Sequence, residues 1–207
     1  MGEFSRGGKS RVPVKALDHD FHSEQVVTPF GILLPKPGDL FISMVQSRVT
    51  SDCMIDELQH VWTTIKQRFP NVSTLLIDQD NGPENNSRRT QYIKRIIEFA
   101  DLNQINIRLV YYPPYHSKYN PIERTWGALE NYWNGTLLNS IHTVVEMARA
   151  MRWKGVHPIV RLVTDVYNKG VRLTKEVMKT LEQRMHRTPI PKLAKYFVEI
   201  PFLPATQ

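Results

Sequence analysis

Cysteine is almost missing. Cys53 is the single one in 207 residues, which excludes a disulfide framework and a cysteine-ligated zinc site and fits a reducing cytoplasm. Histidines at the spacing His-x-x-x-His are missing too, so no helical zinc cage is expected. No apolar run approaches the roughly 20 residues that a membrane-spanning helix needs, and no membrane partner is expected. Met1–Lys15 is rich in Gly, Arg and Ser and lacks the apolar core of a signal peptide.

Acid is scarce at one end only. Residues 1–139 hold fifteen Lys and Arg against fifteen Asp and Glu, whereas residues 140–207 hold twelve against five, so the net charge of +7 lies in that segment. A basic segment beside a neutral one points to a polyanion. A solvated basic helix surface has the same composition, and charge alone does not separate the two.

Hydrophobic residues make up 41% of the chain, enough for one sizeable core. Arg11–Leu17 and Leu40–Val45 read as strands, with Pro29, Pro35, Pro37 and Gly38 marking loops between them. Thr50–Phe69 reads as a helix capped by Thr50 or Ser51, its apolar face formed by Ile55, Leu58, Trp62, Ile65 and Phe69. A strand over Ser73–Ile77, a helix over Arg88–Ala100, a strand over Ile105–Tyr111 and a helix starting at Asn120-Pro121 follow. Strands alternating with helices at this spacing indicate an α/β sheet with helical cover. From Ser140 the pattern reads as mostly helical, over Ile141–Trp153, Pro158–Tyr167 and Thr174–Arg187, ending in an extended arm at Lys195–Pro201. The domain reading is a core over 1–139 and a basic helical extension over 140–207 packed on it.

Gly8-Lys9-Ser10 has the end of a phosphate-binding loop but not its start, because Glu3 stands where glycine is required. A flexible turn is the better account, and no nucleotide cofactor is expected. Two acids stand where an α/β sheet places its sites. Asp80 follows an apolar strand, and the carboxyl ends of strands form the crevice of such sheets. Its ordinary account is turn chemistry in Asp80-Asn81-Gly82, and nearby Asp78 competes for the same position. Glu123 falls three residues after Asn120, where a helix-capping glutamate would stand.

The two segments together carry more information than either alone. LIDQDNGPENNSRRTQ and HSKYNPIERTWGALE place acids 43 positions apart, with one strand and one helix between them. These blocks resemble the second- and third-acid segments of DDE transposases of the mariner-like and insertion-sequence group. GEFSRGGKSR, DHDF and TPFGI are similar to the start of one bacterial insertion-sequence family within that group. The resemblance runs from about Gly2 to Ile200.

The resemblance implies an RNase H-like fold, a mixed sheet flanked by helices. It implies metal-dependent cutting of DNA strands and joining of the free 3′ hydroxyl to a new site. Asp80 would be the second carboxylate and Glu123 the third, holding two Mg²⁺ (or Mn²⁺) ions. Oxygen ligands alone suit such ions. Asn81, Arg88, Arg89, His116 and Lys118 are candidates for DNA contact; ordinary surface charge accounts equally for the two arginines. Tyr111, Tyr112 and Tyr115 are further candidates for DNA contact, with packing the better account of them, and Trp126 and Trp133 are read as core rather than base-stacking residues. Expected partners are DNA, as transposon ends and target, and a second copy of the chain; the expected location is the cytoplasm, in association with the nucleoid.

In this alignment the first carboxylate lies on a strand before Gly2. The chain is therefore expected to be truncated, with weak or no strand transfer alone. Of Asp18 and Asp20, Asp20 is the candidate for approaching the site. Two rival readings stay open: an inactive DNA-binding remnant that regulates an intact enzyme, and an RNase H-like nuclease acting on hybrid or branched DNA.

Overall fold

The apolar run Leu40-Phe41-Ile42-Ser43-Met44-Val45 has no charged residue, and all six residues are buried in a strand. That strand organises the first of two compact units. The computed structural model describes residues 25–113, 116 and 119–204. Unit one joins the described residues up to Arg48 with Pro121–Val166; unit two joins Val49–Asn120 with Tyr167 onward. The candidate strand Arg11–Leu17 lies outside the described residues.

In unit one, β1 (Thr28–Leu33) and β2 (Leu40–Val45) form an antiparallel hairpin closed over Pro35–Gly38. The strand β5 (Ile159–Val163) runs parallel to β2 on its other side. The helices of this unit are α3 (Pro121–Trp133) and α4 (Ile141–Ala150). Leu40, Ile42 and Met44 of β2 pack with Leu129 and Trp133 of α3 and with Val144, Val145 and Ala148 of α4. The helix faces repeat every three to four residues and the strand face every two, so the three elements meet along apolar stripes.

In unit two, β3 (Thr74–Gln79) and β4 (Asn106–Tyr111) are parallel, β7 (Phe197–Ile200) is antiparallel to β4, and β6 (His186–Arg187) is antiparallel to β7. The helices are α1 (Ser51–Ile65), α2 (Thr90–Asn103) and α5 (Lys175–Glu182). Thr50 caps α1, accepting from the Cys53 amide at 3.4 Å. Gln104, with φ of 51°, ends α2 in a left-handed turn. Ile107, Leu109, Tyr111, Val198 and Ile200 alternate onto the buried sheet face, and Ile93, Ile96, Ile97 and Ala100 are buried on α2.

The fold is α/β with mixed sheets and flanking helices. Three details differ from the sequence reading. Pro158–Tyr167, read as a helix, contains β5; its Ile159-Val160-Arg161-Leu162-Val163 run is of strand length and dominated by β-branched residues. Thr28–Leu33, read as part of a loop region, is β1; Pro29 is tolerated there because β1 is a sheet edge and its missing N–H faces no partner strand. Residues 140–207 are not a mostly helical appendage. They supply α4 and β5 to unit one, and α5, β6 and β7 to unit two, and β5 and β7 complete sheets begun by residues before 112. The contact units thus do not divide at residue 139.

Candidate functional site

The polar stretch after β3 contains three asparagines, and two of them close it. The Asn85 side-chain amide donates to Asp80 Oδ1 at 3.0 Å, to the Asp80 carbonyl at 3.1 Å and to Gln79 Oε1 at 3.3 Å. The Tyr92 hydroxyl, buried on α2, donates to the same Gln79 oxygen at 2.8 Å. Burial pushes the Tyr92 hydroxyl up, so it stays a neutral donor across the physiological range. Asn86 Nδ2 donates to the Gly82 carbonyl at 3.0 Å, and Asn86 Oδ1 accepts from the Arg88 amide at 3.0 Å.

The loop is also tied from outside. Glu84 accepts from the Ser51 hydroxyl at 3.2 Å and from Arg89 at 3.1 Å, while the Ser51 hydroxyl donates to the Glu84 carbonyl at 2.6 Å. A carboxylate at the start of α1 also meets the positive end of that helix. Arg187 reaches across from β6 and donates to the Ser87 carbonyl at 2.6 Å. Gly82 is required by close approach: a Cβ there would lie 2.8 Å from Asn85 Oδ1 and 3.5 Å from Asp80 Oδ2.

Asp80 is exposed at the carboxyl end of β3. Among the described residues no Lys or Arg pairs with it; Arg89, the nearest cation in sequence that makes an ion pair, goes to Glu84 instead. Asp78 sits two residues earlier within β3, and partial loss of water around its carboxyl pushes that group up. Burial, and then the charge of Asp78, push the Tyr112 hydroxyl up in turn. Beside the loop is a cavity of about 240 Å³ bordered by Asn81, Gly82, Asn86, Ser87, Arg88 and Lys195.

The other acid belongs to unit one. Glu123 is in the first turn of α3 and is exposed. Among the described residues its carboxylate makes no hydrogen bond or ion pair, so it is not tied down as a helix cap. The turn that carries it is held from behind. Thr125 Oγ1 donates to the Ile122 carbonyl at 2.7 Å, and Trp126 and Ile122 lie over Gly31 of β1, where a Cβ would meet the indole at 2.5 Å.

A family model described as the Rhodopirellula transposase DDE domain matches residues 1–201. The chain belongs to this DDE transposase family. No curated protein and no solved structure gives a match.

In the DDE transposase domain the remaining candidates are distributed as follows. Asn81 and Arg88 border the cavity. Arg89 is held in its ion pair with Glu84. His116 stacks on Tyr119, with ring centroids 5.9 Å apart. Asp18, Asp20, Tyr115 and Lys118 lie outside the described residues. Trp133 and Tyr111 are buried, and Trp126 packs against the unit-one core.

The donor chemistry at Asp80 fits a hard cation: a carboxylate oxygen, aligned by a neutral amide and not neutralised by a neighbouring base. Among the described residues no three His, Cys, Asp or Glu side chains gather into a ligand cluster, and no helix is long and apolar enough to cross a membrane. Sequence reasoning missed Asn85, Gln79, Tyr92 and Lys195. The only signal for the first was its place among several asparagines after an apolar strand.

Proposed function

We propose that this DDE transposase domain cuts DNA strands and transfers their 3′ ends, with Asp80 and Glu123 as the second and third metal-binding carboxylates. The proposal keeps the insertion-sequence, mariner-related affinity of the HSKYNPIER and LIDQDNG blocks. The observation that carries it is the state of Asp80. It is an exposed acid at a strand's carboxyl end, aligned by Asn85 and left without a cation among the described residues. A turn aspartate with no other task needs no aligning amide that shares an acceptor, Gln79 Oε1, with a buried tyrosine.

In the cutting step a water oxygen attacks phosphorus and the bond from phosphorus to the 3′ oxygen breaks, leaving a 3′ hydroxyl and a 5′ phosphate. In the joining step that hydroxyl attacks a phosphodiester of the target and displaces another 3′ oxygen. Bound Mg²⁺ or Mn²⁺ ions would supply nucleophile activation and charge neutralisation at phosphorus. Asp80 and Glu123 would present oxygen ligands, and Asn85 would keep the Asp80 carboxylate in one orientation. Asn81, Arg88, Arg89, His116 and Lys118 would meet the DNA backbone, contacts that position a duplex without reading its sequence.

The test is nicking of supercoiled plasmid with Mg²⁺ or Mn²⁺ by the purified chain. Cleavage that needs the metal and disappears in Asp80→Asn and Glu123→Gln supports the assignment. Metal-dependent cleavage that survives both substitutions overturns it.

A further inference from the structure

The cavity beside the Asp80 loop has a composition that selects its occupant. Its lining includes two cations, Arg88 just before α2 and Lys195 just before β7. None of the residues that line it is acidic and none is aromatic. A wall without acid disfavours a cation, and a wall without rings gives a base nothing to stack on. At about 240 Å³ the space suits a phosphate with part of its sugar rather than a whole base pair.

Both cations are available. Arg88 is exposed, and only its backbone amide is engaged, by Asn86 Oδ1 at 3.0 Å. Lys195 rests over the Tyr196 ring at 4.9 Å, an attraction that orients the ammonium without neutralising it. Neither makes an ion pair among the described residues, whereas the neighbouring Arg89 and Arg187 are paired to Glu84 and Glu182. The wall between them is pre-organised. Asn86 is bonded to the Gly82 carbonyl, and the Ser87 carbonyl is held by Arg187. Gly82 belongs both to this wall and to the surroundings of the Asp80 carboxylate.

We propose that the cavity is a subsite for one DNA backbone phosphate, gripped jointly by the Arg88 guanidinium and the Lys195 ammonium. It rests on the reading of Asp80 as the site of strand cutting, and it would fix a neighbouring phosphate of the same strand. The shared chemistry is a phosphate dianion or monoanion, and DNA is the source to which the proposal commits.

The experiment is fluorescence anisotropy of a labelled duplex of arbitrary sequence with the full chain in EDTA, over a series of salt concentrations. Arg88→Gln and Lys195→Gln are each expected to weaken binding about tenfold, and the double variant to lower the slope of log K against log salt by about 0.9, the one phosphate that the two share. Because both side chains hold the same phosphate, the double variant should lose less than the sum of the two single losses. Lys36→Gln, on the β1–β2 turn, removes the same charge elsewhere and should leave the affinity within about twofold. An unchanged slope in the double variant, strictly additive losses, or an equal loss in Lys36→Gln would each overturn the proposal. So would saturable binding of inorganic phosphate that depends on Arg88 while duplex affinity does not. The assay contains no metal, so failure of the Asp80 variants to abolish nicking would sink the carboxylate assignment alone, and an unchanged salt slope would sink the subsite alone.

Discussion

Asn85 donates its side-chain amide to the Asp80 carboxylate at 3.0 Å while lying almost wholly buried itself. The exposed acid is thus aligned by a buried neutral group, which in turn shares Gln79 Oε1 with the Tyr92 hydroxyl. Substituting Asn85 by Ala should leave Asp80 in place but free to rotate. Cleavage is expected to fall about 10–100-fold, the usual effect of losing a group that orients a metal ligand. Asn85→Asp should do worse, by placing a second negative charge against Asp80. Plasmid nicking with a metal titration checks both, and wild-type rates in Asn85→Ala would contradict the alignment role.

Gly82 tests the same relationship from the other side. A methyl at this position would press on Asn85 Oδ1 at 2.8 Å, and Asn85 has little room to retreat. Gly82→Ala should destabilise unit two by about 1–3 kcal/mol and raise the metal concentration needed for half-maximal nicking. Thermal denaturation and metal titration should therefore move together; a stable variant with unchanged metal demand would count against the close contact.

In unit one the corresponding position is Gly31. The Trp126 indole occupies the space where its Cβ would be, at 2.5 Å, and Ile122 stands at 3.0 Å. Gly31→Val should lower stability by about 1–3 kcal/mol. It should also reduce cleavage, because the first turn of α3 carries Glu123. Gly127→Ala is the contrast, since nothing lies within 4 Å of a Cβ there. It should stabilise the helix by roughly 0.5–1 kcal/mol. Melting curves of the two variants are expected to shift in opposite directions.

The pair Asp101–Arg184 supplies a pH dependence. Arg184 binds both carboxylate oxygens at 2.7 Å, and the Leu203 amide donates at 2.8 Å. Burial works to raise the Asp101 carboxyl, but the hydrogen bonds and charge of Arg184, with the Leu203 amide, hold it below its ordinary 3.8. A carboxyl lowered by folding stabilises the folded chain above the unfolded value and ceases to do so as pH falls through the folded one. Asp101→Asn should therefore destabilise the chain at neutral pH by about 1–2 kcal/mol, after allowance for solvent screening. The gap to wild type should close below pH of about 4. Urea denaturation at neutral and acid pH checks this, and a gap that widened on acidification would refute it.

Much of the chain was legible because its elements announce themselves locally. Leu40–Val45, the helices begun at Thr50 and Pro121, and the strands before Asp80 and Tyr112 follow from apolar period, cap and turn residues. Those same rules put Asp80 past a strand end and Glu123 in a first helical turn. β1 escaped because Pro29 and Gly31 argue against a strand; an edge position excuses the first, and the Trp126 indole demands the second. β5 escaped because a run of five residues, four of them apolar, is too short for period to separate strand from helix.

Composition and periodicity by themselves determined an α/β chain with paired acids and a basic end, because helix and strand preferences act between residues a few positions apart. Which polar groups meet was decided only in three dimensions. Asn85 lies against Asp80 and Gln79 because the loop folds back over the end of β3. Lys195 comes to line the same cavity as Arg88 because β7 enters the sheet antiparallel to β4 in a definite register. Such encounters depend on strand pairing between distant segments, and no local preference encodes them.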